Sequence, residues 1–93
     1  MDKLELAVVR GEQAQALQSN PMYVQAFEDT RKAILETWAS LDTSDKERAR
    51  DLHRMLKCLE RVRKCIDVHV DTGRLANREI EGRAHRLNPF RRA

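Results

Sequence analysis

Residues 44–72 read SDKERARDLHRMLKCLERVRKCIDVHVDT, a stretch without Gly or Pro, and its periodicity decides the fold. At about 100° per residue, Leu52, Met55, Leu56, Cys58, Leu59, Val62, Cys65, Ile66, His69 and Val70 share an arc of roughly 180°, interrupted only by Arg63 near one margin. Lys46, Arg50, Arg54, Lys57, Arg61 and Lys64 occupy an arc of about 80° on the opposite side, with Glu47, Asp51, Glu60, Asp67 and Asp71 outside it. The spacing predicts one helix, about 43 Å long, with an apolar back and a basic front. One antiparallel neighbour cannot cover so wide an apolar arc, so the helix needs company along its length.

Working outward toward the N-terminus, Leu41-Asp42-Thr43 reads as a short connection. Ser44 followed by Glu47 is a capping-box signature for the start of the long helix. Before it, residues 21–40 place Tyr23, Phe27, Thr30, Ile34, Trp38 and Leu41 at alternating spacings of three and four, with Phe27 and Trp38 expected in the core. Asn20 is an N-cap and Pro21 belongs at the first helical position, where its missing N–H is not needed. These two helices are expected to form an antiparallel hairpin. Residues 3–18 repeat Leu4, Ala7, Val8, Gly11, Ala14 and Leu17, a helical stripe of small residues that either packs closely or is marginally stable.

Toward the C-terminus, Gly73 is placed to stop the long helix near residue 72, with a continuous helix through it as the alternative. Beyond it, Ala76, Ile80, Ala84 and Leu87 make a stripe too thin to fold alone. Asn88-Pro89-Phe90-Arg91-Arg92 then ends the chain as a basic tail whose Phe90, Arg91 and Arg92 suit docking on another surface. The expected organisation is an all-α domain over residues 1–73 and a basic, partly helical arm over 74–93. No repeat or low-complexity tract divides the chain.

Composition agrees. Hydrophobic content of 41% with only 4% aromatic and 35% charged residues suits helices and argues against a sheet. Ninety-three residues bury a modest core, so a core shared between subunits is expected to help. The net charge of +3 is unevenly spread: residues 1–45 hold four Lys/Arg against eight Asp/Glu, and residues 46–93 hold fourteen against seven. The halves therefore carry −4 and +7, which suits head-to-tail self-association or an acidic partner such as DNA. No apolar run has the length of a membrane span or a signal peptide, so a soluble protein in a reducing compartment is expected.

Chemistry is thinly represented. Cys58 and Cys65, seven residues apart on one helix, are separated by about 10.5 Å of rise, too far for a bridge within it, and read as reduced core thiols. Cys65 and His69 at i,i+4 are soft ligands on one face, but no Cys-x-x-Cys pair accompanies them. The same pair lacks any evident oxyanion hole or substrate pocket, so neither a metal, a cofactor nor a catalytic residue is expected. His53 and His85 read as surface residues. Helix-turn-helix spacing, zinc fingers and aromatic RNA-binding motifs are missing, so the basic face would track phosphates without reading bases.

The runs NPMYVQAF (20–27) and AILETWASLDTSDKERARDLHRMLKCLERVRKCIDVHVDTGRLA (33–76) resemble a group of small helical proteins encoded by tailed bacteriophages and prophages near head-assembly and packaging genes. The positions carrying the resemblance are Asn20-Pro21, Phe27, Trp38, Asp45, Arg48, Leu56, Leu59 and the segment 72–76, and the likeness spans roughly Glu12 to Ala76. It implies a virion or assembly component, found in the infected host's cytoplasm or in the virion, and transfers no active site. The leading expectation is a non-enzymatic oligomer with Met55, Cys58, Val62, Cys65, Ile66 and His69 on its core or oligomer face, meeting a capsid, scaffold or connector partner. The alternatives are a DNA-packaging subunit resembling a small terminase, with Lys46, Arg50, Arg54, Lys57, Arg61 and Lys64 on DNA, and a small inhibitor or adaptor of a host protein.

Overall fold

The computed structural model describes residues 1–87, the last of them by its backbone alone. The chain is all-α, with α1 over Lys3–Gln18, α2 over Pro21–Ala39 and α3 over Lys46–Leu87. Each helix start is fixed by a side chain that replaces a missing intrahelical acceptor. The Asp2 carboxylate accepts from the Glu5 N–H at 2.8 Å. Asn20 Oδ1 accepts from the Met22 and Tyr23 N–H groups at 2.9 and 3.2 Å, with Pro21 next to it as the sequence predicts.

The cap of α3 differs from the expected one. The carboxylate of Asp45, and not the hydroxyl of Ser44, accepts from the Arg48 N–H, at 3.2 Å. Ser44 is already engaged in the turn, where its N–H and hydroxyl donate to Asp42 Oδ1 at 3.0 and 2.9 Å. Those bonds from Ser44 hold the Asp42 carboxyl below its ordinary value of 3.8, because they favour the charged form.

The helices build two compact units. In the unit spanning Gln18–Cys65, α2 runs antiparallel to the N-terminal half of α3. Residue numbers fall on one helix as they rise on the other: the Arg63 guanidinium lies 5.4 Å from the centre of the Phe27 ring, and Arg31 pairs with Glu60 at 3.7 Å. Phe27, Ile34 and Leu52 are buried between the two helices. Tyr23 stacks at a tilt on Phe27, ring centres 6.4 Å apart, and its buried hydroxyl has no partner among the described residues.

The other unit sets α1 against α3 from Ile66 onward. Its contact is made by glycines. A Cβ placed on Gly11 would lie 2.8 Å from the Gly73 Cα and 3.0 Å from the His69 carbonyl oxygen; one on Gly73 would lie 2.8 Å from the Gly11 Cα and 3.0 Å from the Ala7 carbonyl oxygen. Backbone therefore packs on backbone, with Ala14, Val70 and Ala76 buried as well.

Gly73 consequently does not end α3, as one reading of the sequence had it. The helix continues through it to Leu87, and no residue with positive φ occurs among those described. The missing side chain serves a close approach instead of a left-handed turn. Residues 74–87 are helical as far as Leu87, while the tail residues Phe90, Arg91 and Arg92 lie outside the described residues.

The glycine contact makes a prediction with a sign. Replacing a mid-helix Gly by Ala ordinarily stabilises by about 0.5–1 kcal/mol. At Gly73 the new methyl group meets backbone, so Gly73→Ala should lower the melting temperature, at an overpacking cost of about 1–3 kcal/mol. Gly82→Ala is the control, since its Cβ would meet only the Arg86 Nη1 at 3.8 Å, and it should raise the melting temperature. A thermal melt in which both substitutions stabilise would contradict the close approach.

Candidate interaction surface

Within Gln18–Cys65, α2 lies over Leu52 and half-buries Leu56 and Leu59. Met55, Cys58, Val62 and Cys65 project about 60–140° around α3 from Leu52, which takes them off the contact. Met55 is 52% exposed and Val62 53%, and both cysteines are exposed and free. The expectation that these thiols sit in the core is therefore corrected. A single neighbouring helix shelters only the side chains that point at it, and these point to the side. Ile66 is half-buried, and His69 is exposed. His53 and His85 are exposed, as expected.

Trp38 is the second correction. Phe27 is buried as predicted, but Trp38 is 57% exposed. It lies one turn beyond Ile34 toward the end of the hairpin, and the two-helix unit has no third helix to lay over the indole. With Ile34 and Leu35 from α2 and Leu52, His53 and Leu56 from α3, it lines an open apolar hollow. The aromatic spacing identified the correct helix face without revealing that this face is only one helix deep.

The basic row is formed as the periodicity requires. Arg54 pairs with Asp51 at 3.5 Å, whereas Lys46, Arg50, Lys57, Arg61 and Lys64 stand exposed with no carboxylate partner among the described residues. Of the acids of this helix, Glu60 is turned toward Arg31 of α2 and Asp51 pairs with Arg54.

In the other unit, Arg10, Gln13, Ala14 and Leu17 with Ile66 and His69 line an open hollow of mixed polar and apolar lining. Val68 and Leu75, seven residues apart on α3, are 51% and 63% exposed, a second apolar pair that the periodicity did not single out because it lies on the side opposite Val70. Among the described residues no group of three or more His, Cys, Asp or Glu is placed to hold a metal ion, and no helix is long and apolar enough to cross a membrane. What the surface offers is apolar side chains and unpaired cations.

Trp38 is the only tryptophan, so its fluorescence reports on this face directly. In dilute protein its emission should lie toward that of a solvated indole and be quenched by iodide; shielding should grow if concentration brings a partner over the hollow. An emission already shielded at the lowest concentration, with a monomeric mass, would contradict the exposure. Comparison with protein-family models, with curated proteins and with solved structures finds no match to this chain.

Proposed function

We propose that this chain is a non-enzymatic assembly protein whose helical surface is completed by protein–protein contact, first with further copies of itself and then with a structural partner such as a capsid, scaffold or connector protein. The observation that carries the reading is the scarcity of sheltered apolar groups. Among the described residues, no side chain falls below 2% exposure, and Gln18–Cys65 buries only Phe27, Ile34 and Leu52. A helix pair with so few buried side chains gains little against the conformational entropy it must overcome. Association would bury Trp38, Met55 and Val62 and supply what is missing. The setting in a tailed phage rests on the sequence resemblance.

Light scattering at micromolar concentration tests this: the expected mass is a multiple of 10.8 kDa that falls on dilution. A monomer persisting at hundreds of micromolar would overturn it.

A second reading, DNA packaging, is favoured by one separate observation, the row of unpaired cations. Five phosphate contacts from Lys46, Arg50, Lys57, Arg61 and Lys64 would give a log–log salt slope of about −4 to −5 for double-stranded DNA. Changing Arg54, Lys57 and Arg61 to Glu should then abolish binding to unrelated DNA sequences alike. Titrations showing no affinity at low salt, or affinity unchanged by the charge reversals, would remove this reading.

A further inference from the structure

Within Gln18–Cys65 the Trp38 hollow and the cation row adjoin each other. The hollow, of about 240 Å³, is lined by Ile34, Leu35, Trp38, Leu52, His53 and Leu56, and none of these carries a carboxylate. Projected at about 100° per residue, His53 falls on α3 between Leu56, on the α2 side, and Lys46, Lys57 and Lys64 of the row. At about 1.5 Å of rise per residue, Lys46 stands about 10 Å before His53 and Lys57 about 6 Å after it. Trp38 is 57% exposed, so a ligand reaches its indole without any opening of the hairpin. An aromatic face thus opens onto a line of cations that runs past it in both directions.

We propose that this edge of the hairpin binds single-stranded nucleic acid, with one unpaired base stacked on the Trp38 indole and the phosphates to either side of it on Lys46, Arg50, Lys57 and Lys64. The proposal rests on the nucleic-acid reading of the row and names its substrate class, strands with unpaired bases. It assigns Trp38 to the strand and leaves Met55 and Val62, on the other flank of the α2 contact, for protein.

Two requirements meet at this edge and together select the ligand. The hollow takes a flat or apolar group, and the row takes negative charge repeated along the roughly 27 Å of helix from Lys46 to Lys64. A duplex supplies the charge, but its base faces are stacked inside it. An apolar peptide supplies only the first, and an acidic peptide needs an apolar side chain set among carboxylates at matching intervals. A single strand carries both on every residue, since each base has a π-face and each linkage a charge. Such stacking is sequence-tolerant, which fits a chain without a base-reading motif. The acids at the turn end of the hairpin are held locally, Asp42 by Ser44 and Asp45 by the Arg48 N–H.

The test compares an oligothymidylate, a strand of the same length made of abasic units, and a duplex, each titrated at low salt while the emission of Trp38 is followed. The thymidylate strand should quench the emission; the abasic strand, which has the phosphates without the bases, and the duplex should leave it unchanged. In anisotropy titrations of labelled strands, Trp38→Ala should weaken thymidylate binding by about 5- to 150-fold, the contribution of one stacked base, and leave the abasic strand's affinity unaltered. Trp38→Phe, which keeps an aromatic face, should restore most of the loss. The wild-type comparison needs no variant to fold. Equal quenching by the thymidylate and abasic strands, or by polyglutamate, would overturn the proposal, because the site would then answer to charge alone. Binding that the charge reversals abolish but that neither quenches Trp38 nor responds to Trp38→Ala sinks the stacking site and leaves the DNA-packaging reading standing. No affinity for any of the three nucleic acids sinks both.

Discussion

An α-helix laid beside one other helix can hide only the side chains that face its neighbour, and this limit governs the molecule. α3 meets α2 along its N-terminal half and α1 along its C-terminal half, one partner to each unit. Its apolar residues span a wider arc than that. The excess is not scattered: Met55, Cys58, Val62 and Cys65 form one row beside the α2 contact. Isolated exposed apolar residues are ordinary on any protein surface, whereas these four form one continuous strip that the hairpin leaves uncovered.

The two units meet the limit by different means. Gln18–Cys65 uses large side chains, with the Arg63 guanidinium over the Phe27 ring and Ile34 and Leu52 buried beside it. The unit of α1 and the later part of α3 uses absence, since Gly11 and Gly73 let backbones touch. The first arrangement leaves side chains such as Trp38 standing proud of a thin layer. The second contributes dispersion between closely packed main chains and buries little apolar area, so it is sensitive to a single methyl group.

Periodicity made the helices legible, because every apolar stripe it identified lies on a helix, and the Asn20-Pro21 start is the one observed. Where the reading went wrong, one residue type had two physical uses. A glycine serves either the conformational demand of a helix end or the steric demand of a close crossing, and Gly73 serves the second. Only the position of Gly11, distant in sequence, distinguishes them. Ser44 and Asp45 are both good caps, and the choice fell to Asp45 because Asp42 had already claimed Ser44. Trp38 and the cysteines were misplaced for a third reason: amphipathicity reports which face is apolar, and carries no record of whether the cover comes from the same chain. The cation row was legible in full, since an exposed face depends on nothing beyond its own helix.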